Sequence, residues 1–454
     1  MKIYNIYYKY LYILQLYEYD LYKFTLFVLR SKIFKKYKFK DRLVYTGKIK
    51  TYLIIIITLQ IVTLYPIIIS SNNVIPIIVF TIFIYFLTPI YIVLSSILLE
   101  PISFILKEII IQKAKRKVSK IKDLKIITIT GSYGKTSTTS FVYTLLHGDK
   151  KVFMPKSSVN TILGIAREIN MKMPQDIEIL LLEIGTYKKG DVEEVCEKFP
   201  PDISIIVSIG TQHLERFKSI ENIISAESEN IKFAKSESTV VIPQSVYDIK
   251  GIPKINTKTY RIINPKITDF KNFKTYFKKD KKTYHTNLMG EGMISNLAIA
   301  IDIAEFFSVS NIEGKLQLIK PVARRLSPYY EKGILFIDDT YNIGIESATI
   351  ALNVLEFLKS KKVSSRVAII TGGIVERGDE TKTVNEEYGK LLNKIDIVFL
   401  FDTPYRGYLE NGINDKKKIV YVKDYKEFDS IKYTILKKGD TILMQNEITD
   451  LYYI

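Results

Sequence analysis

Two long apolar stretches dominate the hydrophobic pattern of the first hundred residues. Residues 51–71 and 74–99 contain no charged side chain, and only Asn72 and Asn73 lie between them. Each stretch reaches the roughly 20 apolar residues that are needed to cross about 30 Å of hydrocarbon. The pattern predicts a hairpin of two transmembrane helices, and the alternative is a pair of buried helices in a soluble protein.

Beyond residue 120 the pattern changes to short apolar strands that alternate with helical runs. Such alternation predicts parallel sheets covered by helices, and hence an α/β fold. We predict a membrane anchor over residues 1–120, a central parallel-sheet domain over 121–320 and a C-terminal Rossmann-like domain over 321–454. The strands predicted for the C-terminal domain are 333–337, 366–371, 395–401 and 441–445.

The net charge of +18 is concentrated near the predicted hairpin. Residues 1–125 hold 20 of the 66 Lys and Arg residues but only 6 of the 48 Asp and Glu residues. Basic runs at 32–42 and 113–125 flank the apolar stretches, whereas the loop between the stretches is uncharged, so the positive-inside rule places both flanks and all later residues in the cytoplasm. Nucleic-acid binding is not indicated, because the rest of the chain shows no basic helix or nucleic-acid motif.

The N-terminal 30 residues and the cysteine content refine this interpretation. Eight tyrosines mixed with charged residues disfavour a signal peptide, and they predict an interfacial helix rather than a third span. Cys196 is the only cysteine, so no intrachain disulfide can form, which is consistent with a reducing compartment.

A glycine-rich turn follows the first strand of the central domain. The predicted buried strand 125–130 leads through Gly131-Ser132-Tyr133-Gly134 into Lys135-Thr136-Ser137 and a helical run. Glycines let backbone N–H groups face a phosphate, the helix N-terminus adds positive potential, lysine reaches phosphate oxygens, and threonine can ligate Mg²⁺. The turn therefore predicts a phosphate-binding loop, and with it an ATPase domain, although such short patterns also occur by chance.

Further motifs follow the loop in a defined order. They are IEILLLEIG at 177–185, PPDISIIVSIGTQHLERFKSIENI at 200–223, MISNLAIAIDIA at 293–304, Arg324-Arg325-Leu326, IDDTYN at 337–342 and AIITGGIVE at 368–376. From residue 125 to about 445 this order resembles the Mur ligase family, and most closely the MurF type, which adds D-Ala-D-Ala to cell-wall precursors. The likeness implies an ATP-binding central domain and a C-terminal domain that closes on it.

The resemblance also implies roles for individual residues. It implies ATP binding by Gly131, Ser132, Gly134, Lys135, Thr136, Ser137, Asn296, Arg325 and Asp339. It implies Mg²⁺ binding by Thr136, Glu183, His213 and Glu227, and catalytic roles for Lys135, Glu183, His213 and Glu227. A lone histidine after a strand is more often structural, but His213 lies in a long matching frame. An ordinary carboxylate at a strand end is the plainer interpretation of Glu183.

Four departures from the family pattern stand out. Glu227 occupies the place of a lysine that the family carbamylates, so that a carboxylate is present without CO₂; the alternative is a weakened second metal site. Gly290-Glu291-Gly292-Met293 replaces the G-x-H-N before the base-binding asparagine, and Met444-Gln445-Asn446-Glu447 replaces K-G-S-R. The predicted membrane hairpin stands where the family has a soluble domain that binds the UDP end of its precursor.

The implied function is an ATP-dependent, ADP-forming acid–amino-acid ligase with ATP and Mg²⁺ as cofactors. A substrate carboxylate would attack the γ-phosphate to give an acyl phosphate, which an amine then converts to an amide. The expected partners are a cell-wall precursor or lipid-linked acceptor, an amino acid or dipeptide, and membrane lipid. Two alternatives are a membrane poly-γ-glutamate synthase and a catalytically weakened nucleotide-binding scaffold for cell-wall enzymes.

Overall fold

The computed structural model describes residues 6–17, 19–30, 43–156, 159–211, 214–271, 274–341, 343–375 and 377–445. The chain divides into two compact units, one up to residue 109 and one from residue 110 onward. The basic run predicted at 32–42 lies outside the described residues, and so does His213.

The N-terminal unit is helical. Its helices are α1 (Ile6–Leu16), α2 (Leu21–Arg30), α3 (Gly47–Ser70), α4 (Val74–Phe86) and α5 (Thr88–Val118), the last of which continues beyond the unit. Helices α3 and α5 are long and apolar enough to cross a membrane, and only 11% and 22% of their most apolar windows are buried. Low burial of this kind argues against the alternative of two core helices in a soluble protein, because core helices hide their apolar side chains.

The second predicted span is wrong in its bounds. The predicted helix 74–99 is broken at Leu87, so that α4 ends at Phe86 and α5 runs on to Val118. Pro89 explains the break, because proline lacks the N–H that would bond to the carbonyl of Tyr85. The hydroxyl of Thr88 donates to that carbonyl instead, at 2.6 Å. The described part of the N-terminal 30 residues contains the two short helices α1 and α2, and their interfacial position stays a prediction.

The second unit begins with a six-stranded parallel sheet. Its strands are β1 (Lys125–Thr130), β2 (Val152–Phe153), β3 (Ile179–Glu183), β4 (Ile203–Ile206), β5 (Thr239–Pro243) and β6 (Thr259–Ile263), in the order β2-β3-β1-β4-β5-β6. Its helices are α6 (Lys135–Leu146), α7 (Ile162–Lys172), α8 (Asp191–Lys198), α9 (Leu214–Phe217), α10 (Ile220–Glu227), α11 (Glu229–Lys232) and α12 (Gln244–Tyr247). The central strand β1 delivers the glycine-rich turn to the carboxyl edge of the sheet, where ligands of open parallel sheets bind.

A small antiparallel sheet follows, which the sequence analysis did not anticipate. Strands β7 (Lys266–Lys271), β8 (Lys274–Lys279) and β9 (Lys282–Thr286) pair in order, before helices α13 (Glu291–Phe306) and α14 (Ile312–Leu316). Phe277 and Tyr284 are buried from adjacent strands, with ring centroids 5.7 Å apart. These strands are rich in lysine, so the alternation of apolar and polar residues that predicts a strand is hard to recognise in their sequence.

The C-terminal sheet confirms the four predicted strands to within two residues at each end. Its strands are β10 (Ser327–Glu331), β11 (Ile334–Asp339), β12 (Val367–Thr371), β13 (Ile397–Phe401), β14 (Ile419–Val422) and β15 (Thr441–Gln445), in the order β10-β11-β15-β12-β13-β14. Its α-helices are α15 (Ile345–Ser360), α16 (Thr381–Leu391), α17 (Arg406–Gly412) and α18 (Tyr425–Ile435). Edge strand β10 is antiparallel to β11 and all other pairings are parallel.

A buried asparagine ties the strand that carries the loop to its neighbours. Asn230 accepts a hydrogen bond from Thr128 Oγ1 at 2.5 Å and donates to the carbonyl of Ile205 at 3.0 Å. The backbone carbonyl of Asn230 accepts from Ser204 Oγ at 2.8 Å. These bonds join α11 to β1 and β4. The strand that leads into the loop is therefore stabilised by the buried hydrogen bonds of Asn230 inside an otherwise apolar sheet.

We expect Asn230→Ala to destabilise the second unit by about 2 kcal/mol or more, because Thr128 and Ile205 would each lose a buried hydrogen-bond partner. The measurement is thermal unfolding followed by circular dichroism at fixed detergent. Asn411→Ala is the matched control, since Asn411 is exposed and bonds only to Glu386 at 3.2 Å among the described residues. Equal midpoints for the two variants would contradict the structural role of Asn230.

Candidate active site

The glycine-rich turn adopts the backbone conformation that glycine permits. Gly131 has φ +134° and Gly134 has φ +83°. A Cβ on Gly131 would lie 2.9 Å from the backbone N and O of Ser208, and a Cβ on Gly134 would lie 2.8 Å from the side-chain amide of Asn296. Both positions therefore require glycine for conformation and for space. The side chain of Asn296 in α13 lies beside Gly134 of the loop, and its predicted role in ATP binding stays a prediction.

Lys135 opens helix α6 and folds back over the turn. Its Nζ donates to the carbonyls of Gly131 and Ser132, the second at 3.4 Å. Burial lowers the pKa of Lys135, and the negative charges of Glu227 and Glu183 oppose that shift. The ammonium group thus interacts both with the loop carbonyls and with the charges of two carboxylates.

Two predicted carboxylates converge on the same region. Thr136 Oγ1 donates to Glu183 Oε1 at 3.0 Å, and Glu183 is buried at the end of β3. Glu227 is 3% exposed, and its Oε2 has no hydrogen-bond partner among the described residues. Burial raises the pKa of Glu227, whereas the charge of Lys135 and hydrogen bonds from Thr186, Thr130 and the Gly131 backbone act in the opposite direction. An orphaned buried carboxylate oxygen is suited to a cation or a donor that arrives with a ligand.

The predicted set of metal ligands stays a prediction. Thr136, Glu183 and Glu227 all border Lys135, but His213 lies outside the described residues. Within those residues, no group of three or more His, Cys, Asp or Glu side chains is arranged to hold a metal. The donor chemistry nevertheless suits Mg²⁺, which prefers a few carboxylate and hydroxyl oxygens and retains several waters.

Two further hydroxyls of the region are buried without partners. Ser137 Oγ and Thr138 Oγ1 in the first turn of α6 have no hydrogen-bond partner among the described residues. Ser137 is one of the predicted ATP-binding residues, whereas the sequence analysis did not single out Thr138. Buried hydroxyls without partners accumulate here in the same way as the orphaned Glu227 oxygen, which is typical of a site that a polar ligand completes.

Glu229 has a structural role that the sequence analysis did not predict. Its carboxylate accepts from the backbone N–H of Gly190 at 3.0 Å and of Glu193 at 3.1 Å. These are the orphan donors at the N-terminus of α8, which Gly190 cannot cap with a side chain. Glu227 therefore interacts with Lys135, whereas Glu229 stabilises the N-terminus of helix α8.

Arg325 reaches the phosphate loop from the C-terminal part of the chain. Its Nη2 donates to Thr136 Oγ1 at 3.4 Å, and its guanidinium lies 4.2 Å from the ring centroid of Tyr341. Tyr341, Lys135 and Arg325 line one cavity of about 50 Å³ together with Ser132, Tyr133, Gly134, Asn160, Glu183, Gly185, Thr186 and Tyr187. Tyr341 and Asn160 are members that the motif analysis did not single out.

Asp339 is placed to hold the segment that carries Arg325. Its Oδ1 accepts from the backbone N–H of Leu326 at 3.3 Å and its Oδ2 accepts from Gln445 at 3.1 Å. Burial raises the pKa of Asp339 to about 7, while these hydrogen bonds and Arg325 oppose the shift. Its predicted contact with nucleotide stays a prediction. Gln445 belongs to the stretch that departs from the family pattern, of which Asn446 and Glu447 lie outside the described residues.

A larger cavity of about 370 Å³ is lined in part by Thr136 and Glu183. Its wall carries the hydroxyls of Thr139, Ser140 and Thr144, the lysines Lys156 and Lys320, and the apolar side chains of Met154, Pro155, Val159, Leu318, Pro321 and Val322. Among the described residues, Glu183 is the only acidic one that lines it. Sequence reasoning missed this cavity because its lining comes from separate loops that no motif joins.

The chain is similar to known proteins over about three quarters of its length. Residues 129–304 match the Mur ligase middle domain. The central part of this chain is a Mur ligase middle domain. The chain is 27% identical to the UDP-N-acetylmuramoyl-tripeptide–D-alanyl-D-alanine ligase of Buchnera aphidicola over 361 residues. This alignment covers 74% of this chain and 78% of that relative. The enzyme of the same name from Bacillus subtilis is 24% identical over 335 residues, or 71% and 72% of the two chains.

The fold is shared with solved Mur ligase structures. A crystal structure of the MurF ligase from Thermotoga maritima in complex with ADP matches with a TM-score of 0.68 and 24% identity, over 75% of this chain and 80% of that one. The resemblance inferred from the motifs is thereby confirmed, and the C-terminal residues beyond the middle domain are included in the shared fold.

The glycine requirement of the loop leads to a direct prediction. We expect Gly131→Ala to weaken binding of a fluorescent ATP analogue by at least about tenfold, because the new Cβ meets the immovable backbone of Ser208. Gly148→Ala is the matched control, since Gly148 also has a positive φ (+91°) but has open space around its Cβ position. Fluorescence titration in detergent provides the measurement. If both variants bound the analogue like the wild type, the loop would not be the nucleotide site.

Proposed function

We propose that this chain is an ATP-dependent, ADP-forming ligase of the MurF type, which joins a carboxylate of a peptidoglycan precursor to an amine. The observation that carries the proposal is the convergence of Lys135, the Thr136–Glu183 pair and Arg325 on one glycine-rich loop at the carboxyl edge of a parallel sheet. Relatives of this chain that align over 72% to 78% of their own length are named as ligases that add D-alanyl-D-alanine.

The chemistry follows from the poor reactivity of carboxylates as acyl donors. The substrate carboxylate takes the γ-phosphoryl group of ATP and becomes an acyl phosphate, with release of ADP. The amine then attacks the acyl carbon, and phosphate leaves as the amide forms. Lys135 and Arg325 are the cations positioned to offset charge on the transferring group, which is how phosphoryl transfer is mainly catalysed.

Mg²⁺ would be held by Thr136 and Glu183, with Glu227 and His213 as further candidate ligands. The ion supplies charge neutralisation and orients phosphate oxygens when it is bound. Glu227 offers a carboxylate where the family uses a carbamylated lysine, and its orphaned Oε2 supports that role. The roles of Asn296, Ser137 and Asp339 in nucleotide binding belong to the same proposal.

The acyl substrate enters, in this proposal, through the 370 Å³ cavity beside Glu183. Lys156 and Lys320 give that cavity a positive rim for an anionic precursor, and its hydroxyl wall suits peptide groups. A nucleotide-linked precursor is the first candidate, because the relatives' names specify UDP-N-acetylmuramoyl-tripeptide. A lipid-linked acceptor is the second, supported by the apolar surface of α3 and α5.

The N-terminal helices support a location at the cell membrane with the catalytic part in the cytoplasm. Side chains such as Ile61, Val62 and Phe80 are exposed over a surface that no described residue covers. Apolar surface of that extent is stable in contact with lipid. The charge asymmetry of the flanks sets the orientation.

Neither alternative function is favoured. A poly-γ-glutamate synthase would share the membrane segment and the loop, but the relatives reported above are ligases of the D-alanyl-D-alanine type. A scaffold without activity does not require Arg325, Thr136 and Glu183 to remain hydrogen-bonded to one another. A site that is no longer used is expected to lose such residues one after another.

We expect Lys135→Ala to lower ADP formation by about 10²-fold or more, because the loop loses the cation that faces the transferring phosphoryl group. The assay contains full-length protein in detergent, ATP, MgCl₂, UDP-N-acetylmuramoyl-tripeptide and D-Ala-D-Ala, with membrane-extracted lipid-linked precursor in a parallel arm. Lys250→Ala, an exposed lysine of the same domain, is the control and keeps wild-type turnover. Turnover of Lys135→Ala at the wild-type rate would refute the assignment.

We expect the full-length protein to remain in the membrane pellet after an alkaline carbonate wash and to be released by detergent. The physical reason is the exposed apolar surface of α3 and α5, whose burial in lipid is favourable by about 25 cal/mol per Å². Quantitative blotting of pellet and supernatant provides the measurement. Complete release by carbonate alone would contradict a membrane-spanning anchor.

A further inference from the structure

Thr211 is held at three atoms by side chains from the C-terminal part of the chain. Glu346 Oε1 accepts from the backbone N–H of Thr211 at 3.2 Å and from its hydroxyl at 2.7 Å. Arg377 Nη1 donates to the carbonyl of Thr211 at 2.7 Å. Every one of these bonds involves a charged group, and such bonds are about twice as strong as neutral ones.

The segment that ends at Thr211 is in turn hydrogen-bonded to the phosphate loop. Ser132 Oγ donates to the carbonyl of Gly210 at 3.1 Å, and the Gly210 N–H donates back to Ser132 Oγ at 2.9 Å. Ser132 N–H donates to the carbonyl of Ser208 at 3.0 Å, and Tyr133 N–H donates to Ser208 Oγ at 2.8 Å. The loop backbone is therefore supported by residues 208–211, not only by its own helix.

Tyr133 adds a side-chain connection between the same parts. Its ring lies against Gly210, where a Cβ would be 2.6 Å from Cε2, and its hydroxyl lies against Gly344, where a Cβ would be 1.8 Å from the oxygen. The hydroxyl donates to Glu346 Oε2 at 3.4 Å. Gly210 and Gly344 thus form the two walls of a narrow slot, the tyrosine slot, that holds the side chain of Tyr133.

The two charged residues are well placed to act as fixed supports. Glu346 lies in the first turn of α15, where the helix dipole stabilises a carboxylate. Arg377 is only 5% exposed, and its second amino group pairs with Glu380 at 3.0 Å. Neither residue borders the cavity that contains Lys135 and Arg325. Their contacts therefore bear on the loop through Thr211 and Tyr133.

We propose that Glu346 and Arg377 are positioning residues that make the geometry of the phosphate loop depend on docking of the C-terminal domain. In this account the loop carries its binding conformation only while Glu346 and Arg377 hold Thr211 and Glu346 receives the Tyr133 hydroxyl. The inference rests on the proposed nucleotide-binding role of the loop. It adds a route by which domain docking enables phosphoryl transfer without contact between these residues and the nucleotide.

The test is hydrogen exchange followed by mass spectrometry on the full-length protein in detergent, with and without MgADP. Glu346→Ala should speed exchange of the segments that contain residues 131–134 and 208–211 by about tenfold, and weaken MgADP binding by a similar factor. Glu346→Gln keeps an acceptor oxygen for Thr211 and should restore most of the protection. Arg377→Ala should act in the same direction as Glu346→Ala.

Glu356→Ala is the matched control, since Glu356 lies on the same helix and pairs only with Lys394, at 2.7 Å, among the described residues. It should leave exchange of both segments unchanged. Exchange in strand β13 reports global unfolding, and Gly344→Ala is a second variant that closes the tyrosine slot if Glu346→Ala does not fold. Loop exchange in Glu346→Ala equal to that in Glu356→Ala would overturn the inference.

Failure of the inference and failure of the proposed function give different results. If the wild-type protein does not bind MgADP, the nucleotide role of the loop is wrong. If the wild type binds MgADP and Glu346→Ala, Arg377→Ala and Gly344→Ala all bind it equally with unchanged loop exchange, only the positioning role is wrong.

Discussion

The position of one lysine relative to two buried carboxylates is the constraint on which the site depends. Lys135 is drawn toward Glu183 and Glu227 by charge and toward the loop carbonyls by hydrogen bonds, while burial disfavours its charged form. An isolated buried charge is costly, so these groups are stable only together or with a ligand that replaces one of the contacts. One oxygen of the Glu227 carboxylate, Oε2, has no hydrogen-bond partner among the described residues, so a ligand or cation could complete the set there.

The surrounding fold explains how such a cluster is maintained. Strand β1 lies in the middle of the sheet and is held from below by Asn230, so the loop leaves a rigid base. From above, Arg325 contacts Thr136, and Asp339 fixes the backbone beside Arg325. The hydrogen bonds that connect Glu346, Thr211 and the loop extend this support to helix α15.

Much of the fold and part of the site could be predicted from the sequence, for identifiable physical reasons. Short apolar strands such as 125–130 are specified by local composition, and Lys135 and Thr136 are specified by a glycine turn with few conformations. The helix break at Leu87 was missed because it depends on one lost N–H at Pro89 within an otherwise uniform apolar run. Tyr341, Lys156 and Lys320 were missed because only tertiary packing brings their loops to Glu183 or Lys135.

The central claim is that this chain activates a carboxylate by phosphorylating it. The most direct measurement uses UDP-N-acetylmuramoyl-tripeptide with ¹⁸O in its terminal carboxylate, ATP, MgCl₂ and D-Ala-D-Ala, and determines the isotope content of the released phosphate. An acyl-phosphate intermediate transfers one carboxylate oxygen to phosphate, so the account predicts singly labelled phosphate in step with amide formation. Amide formation with unlabelled phosphate would contradict it.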